Sequence, residues 1–123
     1  MQEGFANLEK GEFSKAEVFF TTILKDYPQN KTARLCYARA VGLNNQPEKA
    51  LTLFTTLKSD YPDDLEIKLN HAESLLWNKK FDDAKVYYTS LVADNPTNFV
   101  AHLGFANTLS NLKEFKDALS NVN

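Results

Sequence analysis

Residues 69–96 read LNHAESLLWNKKFDDAKVYYTSLVADNP, and this stretch holds the plan of the whole chain. Leu69, Ala72, Leu75 and Leu76 recur at three- and four-residue steps, the period of a helix lying on a core. The polar run Asn78-Lys79-Lys80 breaks the stripe. A second stripe, Ala84, Tyr87, Tyr88 and Leu91, follows at the same period. Pro96 then closes it, because proline lacks the amide proton a helix needs and clashes with the turn before it. Two helices, a short polar turn and a proline stop describe one antiparallel hairpin.

The same plan recurs up and down the chain. Pro28, Pro62 and Pro96 stand 34 residues apart. Ala16, Ala50, Ala84 and Ala118 keep that spacing, as do Gly4, Ala38, Ala72 and Ala106. Two large-residue rows share the register: Phe20, Phe54, Tyr88, closing on Val122, and Phe13, Pro47, Phe81, Phe115. Small residues mark places where helix axes approach closely, and large aromatics fill the space beside them. Two residues after each stop sits an N-cap, Asn30, Asp64 or Asn98, whose side-chain oxygen can accept from the free amides of the next helix. Pro47 departs from its aromatic row but suits the first turn of a helix, where no amide donor is required. Helices are expected at 1–9, 14–26, 31–43, 48–60, 65–78, 82–94 and 99–111, with breaks at Lys10-Gly11-Glu12, Asn44-Asn45-Gln46, Asn78-Lys79-Lys80 and Asn111-Leu112-Lys113-Glu114. The expected repeats are 1–29, 30–63, 64–97 and a truncated 98–123.

Bulk properties exclude several classes of protein. The chain has 123 residues, 43% hydrophobic and 24% charged, which is ordinary globular usage and argues against disorder. Four Gly and four Pro are too few for a chain made mostly of turns. The net charge of −2 provides no basic stripe for a nucleic acid. No apolar run reaches the roughly 20 residues needed to cross a bilayer. One cysteine, Cys36, excludes an internal disulfide framework.

These residues resemble the tetratricopeptide repeat, a 34-residue unit of two antiparallel helices with small residues at fixed places and a closing proline. The run Gly11-Glu12-Phe13-Ser14-Lys15-Ala16 is similar to that family's turn. The resemblance covers essentially the whole chain. It implies an all-α, right-handed superhelical solenoid of about three and a half hairpins, whose first helices line a concave groove for peptides or protein surfaces. Carrying the family's groove positions onto this sequence gives Leu35, Arg39, Gly42 and Leu43, then Leu69, Glu73, Leu76 and Trp77. The third set is Leu103, Asn107, Ser110 and Asn111. One subgroup of the family clamps chaperone C-terminal carboxylates with Lys and Asn. Here Leu35, Leu69 and Leu103 hold one clamp position, and only Asn70 matches another, with Cys36 and Gly104 at its equivalents. The expected ligand is therefore an apolar helical or extended segment.

Bland readings stand beside these. Trp77 is either a ligand-stacking anchor or a hairpin cap packed on Phe81. The leucine row repeats strictly, as core residues do, and Arg39 with Glu73 has the spacing of an inter-repeat ion pair. By contrast the row Arg39, Glu73, Asn107 changes type from repeat to repeat, which a purely structural position has no reason to do.

No catalytic or metal constellation is expected, and no cofactor. His71 and His102 lack a His or Cys at i+3 or i+4. His71 reads as a satisfied inter-helix histidine and Cys36 as a small packed residue. Asp82-Asp83 suit the positive end of a helix. The leading expectation is a protein-interaction scaffold that enters neither membrane nor nucleic acid. The alternatives are a self-associating solenoid, dimeric through uncovered terminal helices bearing Leu119 and Val122, and an assembly segment of a larger cell-envelope protein. The residues are compatible with the cytoplasm, or with the periplasm if Gln2 follows a removed leader.

Overall fold

Every linker in the chain is built from the same pieces. At Tyr27, Tyr61 and Asn95 the backbone leaves the helix, its amide donating back to Ile23, Leu57 and Leu91. The residue before a proline is steered out of helical geometry, so each helix ends there. Two residues past the proline, the next cap takes over. The Asn30, Asp64 and Asn98 side chains accept from the amides of Ala33 (2.9 Å), Ile67 (3.0 Å) and Ala101 (2.9 Å). The expected caps are thus all formed.

The computed structural model describes the backbone of residues 2–122 and the side chains of residue 4 and residues 6–113. The helices are α1 (Gln2–Glu9), α2 (Phe13–Asp26), α3 (Lys31–Leu43), α4 (Pro47–Asp60), α5 (Leu65–Trp77), α6 (Phe81–Asp94) and α7 (Phe99–Val122). They form a solenoid of hairpins, α1 with α2, α3 with α4, α5 with α6, each stacked on the next. The first helices also touch one another, α3 against α5 and α5 against α7, so they make a shared wall along one side.

The small-residue rows do what their spacing predicts. Ala16, Ala38, Ala50, Ala72 and Ala84 are fully buried. A side chain at Gly4 would meet the Phe19 and Phe20 rings at 2.6 Å, so the first copy of the row needs a glycine. Phe20, Phe54 and Tyr88 fill the adjoining space. Each core cluster crosses a repeat boundary. Ile67 of α5 is buried among Leu35, Ala38, Val41, Ala50, Phe54 and Leu57. Ala101 of α7 closes the cluster of Ala72, Ala84, Tyr88 and Leu91 in the same way.

One expectation is corrected. The break at Asn111-Leu112-Lys113-Glu114 does not occur, and α7 runs on as one 24-residue helix. The earlier hairpin turns each hold a residue in the left-handed region: Gly11 (φ 78°), Asn45 (φ 64°) and Lys79 (φ 58°). They are 34 residues apart, and the next member of the row is Lys113. Lys79 tolerates that conformation beside Asn78, whose side-chain amide donates to the carbonyls of Pro47 (2.9 Å) and Ser74 (2.7 Å). Asn44 is clipped similarly, accepting from Ser14 (3.1 Å) and donating to Glu17 (3.1 Å). At the fourth turn this position is Leu112, a good helix former with no such bonds to make. The side chains of Phe115, Ala118, Leu119 and Val122, which the repeat rows single out, lie outside the described residues.

His71 is also corrected in part. It does sit between helices, edge-on to Tyr87 with ring centroids 5.3 Å apart. Its Nε2 lies 3.3 Å from the Thr55 hydroxyl, whose own proton goes to the Leu51 carbonyl at 2.8 Å. The network therefore assigns the imidazole proton to Nε2 and leaves Nδ1 a bare acceptor. That Nδ1 is buried with no protein partner. Burial, and secondarily the Lys58 charge, lower the pKa of His71. The charged groups around it are Lys58 on α4, Lys68 on α5, and Asp83 and Asp94 on α6.

Two tests follow from these contacts. Replacing Asn78 by Leu removes two hydrogen bonds at a half-buried turn, and equilibrium urea unfolding should show a loss of about 1–3 kcal/mol. For His71 the folded pKa lies below the unfolded one, so between those two values the unfolded chain binds more protons. Its stabilising contribution is complete above the ordinary histidine range and is lost as pH falls from there toward the lowered folded value. The urea midpoint should drop as pH falls below the ordinary histidine value of about 6.5, and His71→Gln should flatten that part of the profile.

Candidate binding groove

The shared wall of α3, α5 and α7 carries a polar network that crosses repeats. Arg39 Nη1 donates to Asn70 Oδ1 at 2.8 Å and lies 3.3 Å from Glu73 Oε2. Asn70 in turn donates its amide to the Glu66 carbonyl at 2.8 Å, which fixes its oxygen toward Arg39. Both partners of the Arg39–Glu73 pair remain more than a third exposed, 39% and 38%. Exposed pairs of this kind contribute only about 0.2–1 kcal/mol. The guanidinium has five N–H donors in all, so it retains capacity for a ligand acceptor.

The other expected groove residues separate into two groups. Leu35 is 7% exposed and belongs to the core cluster of its hairpin, so it offers almost no surface. Leu69 and Leu76 are half-buried and pack against the core beneath α6 and α7. Trp77 is half-buried too. Its ring lies over Gly42, where a Cβ would come within 2.1 Å of the indole, and against Phe54 at 6.3 Å. The tryptophan thus wedges α5 onto α3 across the space that a glycine leaves, while keeping part of its surface open. Leu43 is half-buried beside it. Leu103 is open, 48% exposed, and Asn107 and Ser110 are exposed with it. Asn111 is half-buried and donates back to the Asn107 carbonyl at 2.8 Å.

One residue of this region, Glu66, was not singled out by sequence. It is exposed on the first turn of α5 and lies close enough to Cys36 to interact electrostatically. Burial pushes the Cys36 thiol up to about 11, with Glu66 adding to the shift and Arg39 opposing it. A thiol held there stays protonated at neutral pH and is a poor nucleophile. The signal that could have found Glu66 is its row: Thr32, Glu66 and Val100 differ in type as Arg39, Glu73 and Asn107 do.

The wall is open rather than pocketed. Clefts of about 580 Å³ and 240 Å³ occur instead away from it. The first is lined by residues such as Lys58, His71 and Tyr87, the second by Leu24, Tyr37 and Leu53 at the same places one repeat earlier. Among the described residues, no group of three or more His, Cys, Asp or Glu is arranged to hold a metal ion. No helix there is long and apolar enough to cross a membrane.

Comparison with known proteins agrees with this architecture. Structures similar in fold include the first tetratricopeptide-repeat domain of human RPAP3, with TM-score 0.79 and 16% identity over 94% of this chain and 91% of that one. A tetratricopeptide repeat protein from Parabacteroides merdae has TM-score 0.83 and 17% identity, covering 98% of this chain and 47% of the other. The first such domain of Spaghetti (RPAP3), bound to the HSP90 peptide SRMEEVD, has TM-score 0.76 and 16% identity over 91% of this chain and 89% of that one. No curated protein matches the sequence significantly. Family models described as tetratricopeptide repeat match residues 7–73 and 67–98. Matched over more than half of its length, the chain belongs to the tetratricopeptide repeat family, a family of non-catalytic interaction scaffolds.

Proposed function

We propose that the chain is a protein-interaction module whose first-helix wall binds an apolar, neutral-to-basic segment of a partner. The supporting observation is the half-exposed Arg39–Asn70–Glu73 network joining α3 to α5, on the wall that also carries the partly open Leu69, Leu76 and Trp77 on α5 and the open Leu103 on α7. Apolar side chains supply contact area, and the network supplies groups that read the ligand's polarity.

The charge on the wall favours one class of ligand. Glu73 already engages the Arg39 guanidinium, and Glu66, exposed and within electrostatic reach of Cys36 and Lys31, adds a second carboxylate to this region. We read the region as favouring a basic side chain or amide on the ligand over an acidic tail. A related fold holds the acidic peptide SRMEEVD. This chain has leucine at positions 35, 69 and 103 where the resemblance calls for the cationic and amide groups of a carboxylate clamp. It is therefore read as binding through a different chemistry.

Panning a random peptide library against the full chain tests this. The selected peptides should combine large apolar residues with Lys or Arg. By fluorescence polarisation, Leu69→Asp and the pair Glu66→Lys with Glu73→Lys should each weaken them at least about tenfold, or about 1.4 kcal/mol. Trp77 is the only tryptophan, so its emission gives a second readout on occupancy. Selection of acidic C-terminal tails, or equal binding by all variants, would remove the groove assignment.

A further inference from the structure

Among the described residues, two buried side-chain polar atoms have no protein partner, His71 Nδ1 and the Tyr87 hydroxyl. They are not scattered. Both side chains line the cleft of about 580 Å³ that α4, α5 and α6 form away from the first-helix wall. Their rings stand edge-on with centroids 5.3 Å apart. Buried polar groups are nearly always paired, so two unpaired ones on neighbouring rings call for a reason.

Packing does not supply that reason. The same cleft one repeat earlier is lined by Tyr37 and Leu53, which hold the row positions of His71 and Tyr87. There Tyr37 has Lys49 as a hydrogen-bond partner, and Leu53 has no polar atom to satisfy. In the first repeat the Tyr87 row holds Phe19, and in the fourth the His71 row holds Phe105. Either position therefore accepts an apolar ring. The third repeat instead sets a polar atom at both.

The hydrogen-bonding capacity of the two groups specifies their complement. His71 directs its Nε2 proton toward Thr55, so Nδ1 offers a lone pair and needs a donor. Burial pushes the Tyr87 phenol up to about 12, so its hydroxyl keeps its proton and needs an acceptor. An ammonium brings donors alone, and it would meet Lys58, whose Nζ lies over the Tyr87 ring at 4.7 Å. A carboxylate brings acceptors alone and sets its lone pairs against that of Nδ1. A primary carboxamide carries N–H and C=O side by side. Pro62, Leu75, Val86 and Leu91 make the rest of the lining largely apolar, which suits a hydrocarbon body. The cleft volume is that of a small-molecule site, about 300–1,000 Å³. Lys68 to Leu75 spans two helical turns, about 10 Å, room for one ring and its amide.

We propose that this cleft is a second binding site, for a small neutral carboxamide with an apolar body, its N–H donating to His71 Nδ1 and its carbonyl accepting from the Tyr87 hydroxyl. Both atoms lie beneath the surface, so the ligand enters as the flexible Lys58 side chain swings off the Tyr87 ring, a contact weak enough at a half-exposed site to give way. The site is independent of the groove reading, because it uses none of the side chains of the Arg39–Asn70–Glu73 wall.

Benzamide titrated into the 15N-labelled full chain should give saturable shifts in 1H–15N spectra around His71 and Tyr87. Benzoate and benzylamine should bind more weakly. Tyr87→Phe and His71→Phe install residues that the chain itself uses in those rows, so the fold is retained. Each should weaken benzamide at least about fivefold, the worth of one hydrogen bond. The groove variant Leu69→Asp should leave benzamide binding unchanged. The urea midpoint of Tyr87→Phe should hold or rise, since the substitution removes an unpaired buried group. Absence of saturable shifts, equal binding by the Phe variants, or tighter binding of benzoate or benzylamine overturns the proposal. So does a lowered midpoint in Tyr87→Phe, which would mean that the hydroxyl is already paired in the free chain.

Discussion

The burial of Ile67 and Ala101 is the interaction on which the rest depends. Each belongs to the first turn of a helix, and each is fully buried in the hydrophobic cluster of the hairpin before it. A two-helix hairpin cannot cover its own apolar face, so stability comes from the helix supplied by the next repeat. The cap that starts each of those helices therefore has a second task. Asp64 accepts from the Ile67 amide and thereby places Ile67 in the preceding core. Asp64 also holds Lys31 of the earlier repeat at 2.7 Å, and that bond and the Ile67 amide keep its carboxyl below the usual range. The depressed pKa makes this contribution one that is present above the ordinary aspartate value and lost as pH falls through the lowered one.

Close approach is the second constraint, and it dictates residue size where helices cross. Gly42 admits the Trp77 ring, Gly104 admits the Tyr88 ring at 2.3 Å from where a Cβ would stand, and Gly4 admits two phenylalanines. These glycines and the alanine rows solve one packing problem with two residue types. Where the neighbour is an aromatic ring pressed close to the backbone, even a methyl group is too large. Interiors packed this densely leave little room for adjustment.

Most of the fold was legible because its signals are local and recur. Prolines, caps and small residues act within a few residues of themselves, and the period multiplies each signal. The fourth turn was misread for the same reason: Asn111-Leu112-Lys113-Glu114 is polar like the others, but a turn also needs a left-handed residue and a clip to the preceding hairpin. Asn44 and Asn78 make that clip through contacts about 30 residues away, with Ser14 and Glu17 or with Pro47. No local pattern displays such a partner. His71 was half-read for a related reason, since its Nε2 partner Thr55 could be placed by register but the absence of one for Nδ1 required the packed structure.

The groove illustrates how far a repeat can separate structure from recognition. Rows that hold their type, such as Ala38, Ala72 and the buried aromatics, are those the core consumes. Rows that change type lie on the wall: Arg39, Glu73 and Asn107, and Thr32, Glu66 and Val100. Leu35, Leu69 and Leu103 show that constancy is not sufficient evidence of burial. One residue type runs through all three, yet exposure climbs from the buried Leu35 through the half-buried Leu69 to the open Leu103. A leucine that is core in one hairpin is thus surface in another without any change in sequence. What surrounds the position, and not its own identity, decides whether it stabilises the solenoid or meets a partner.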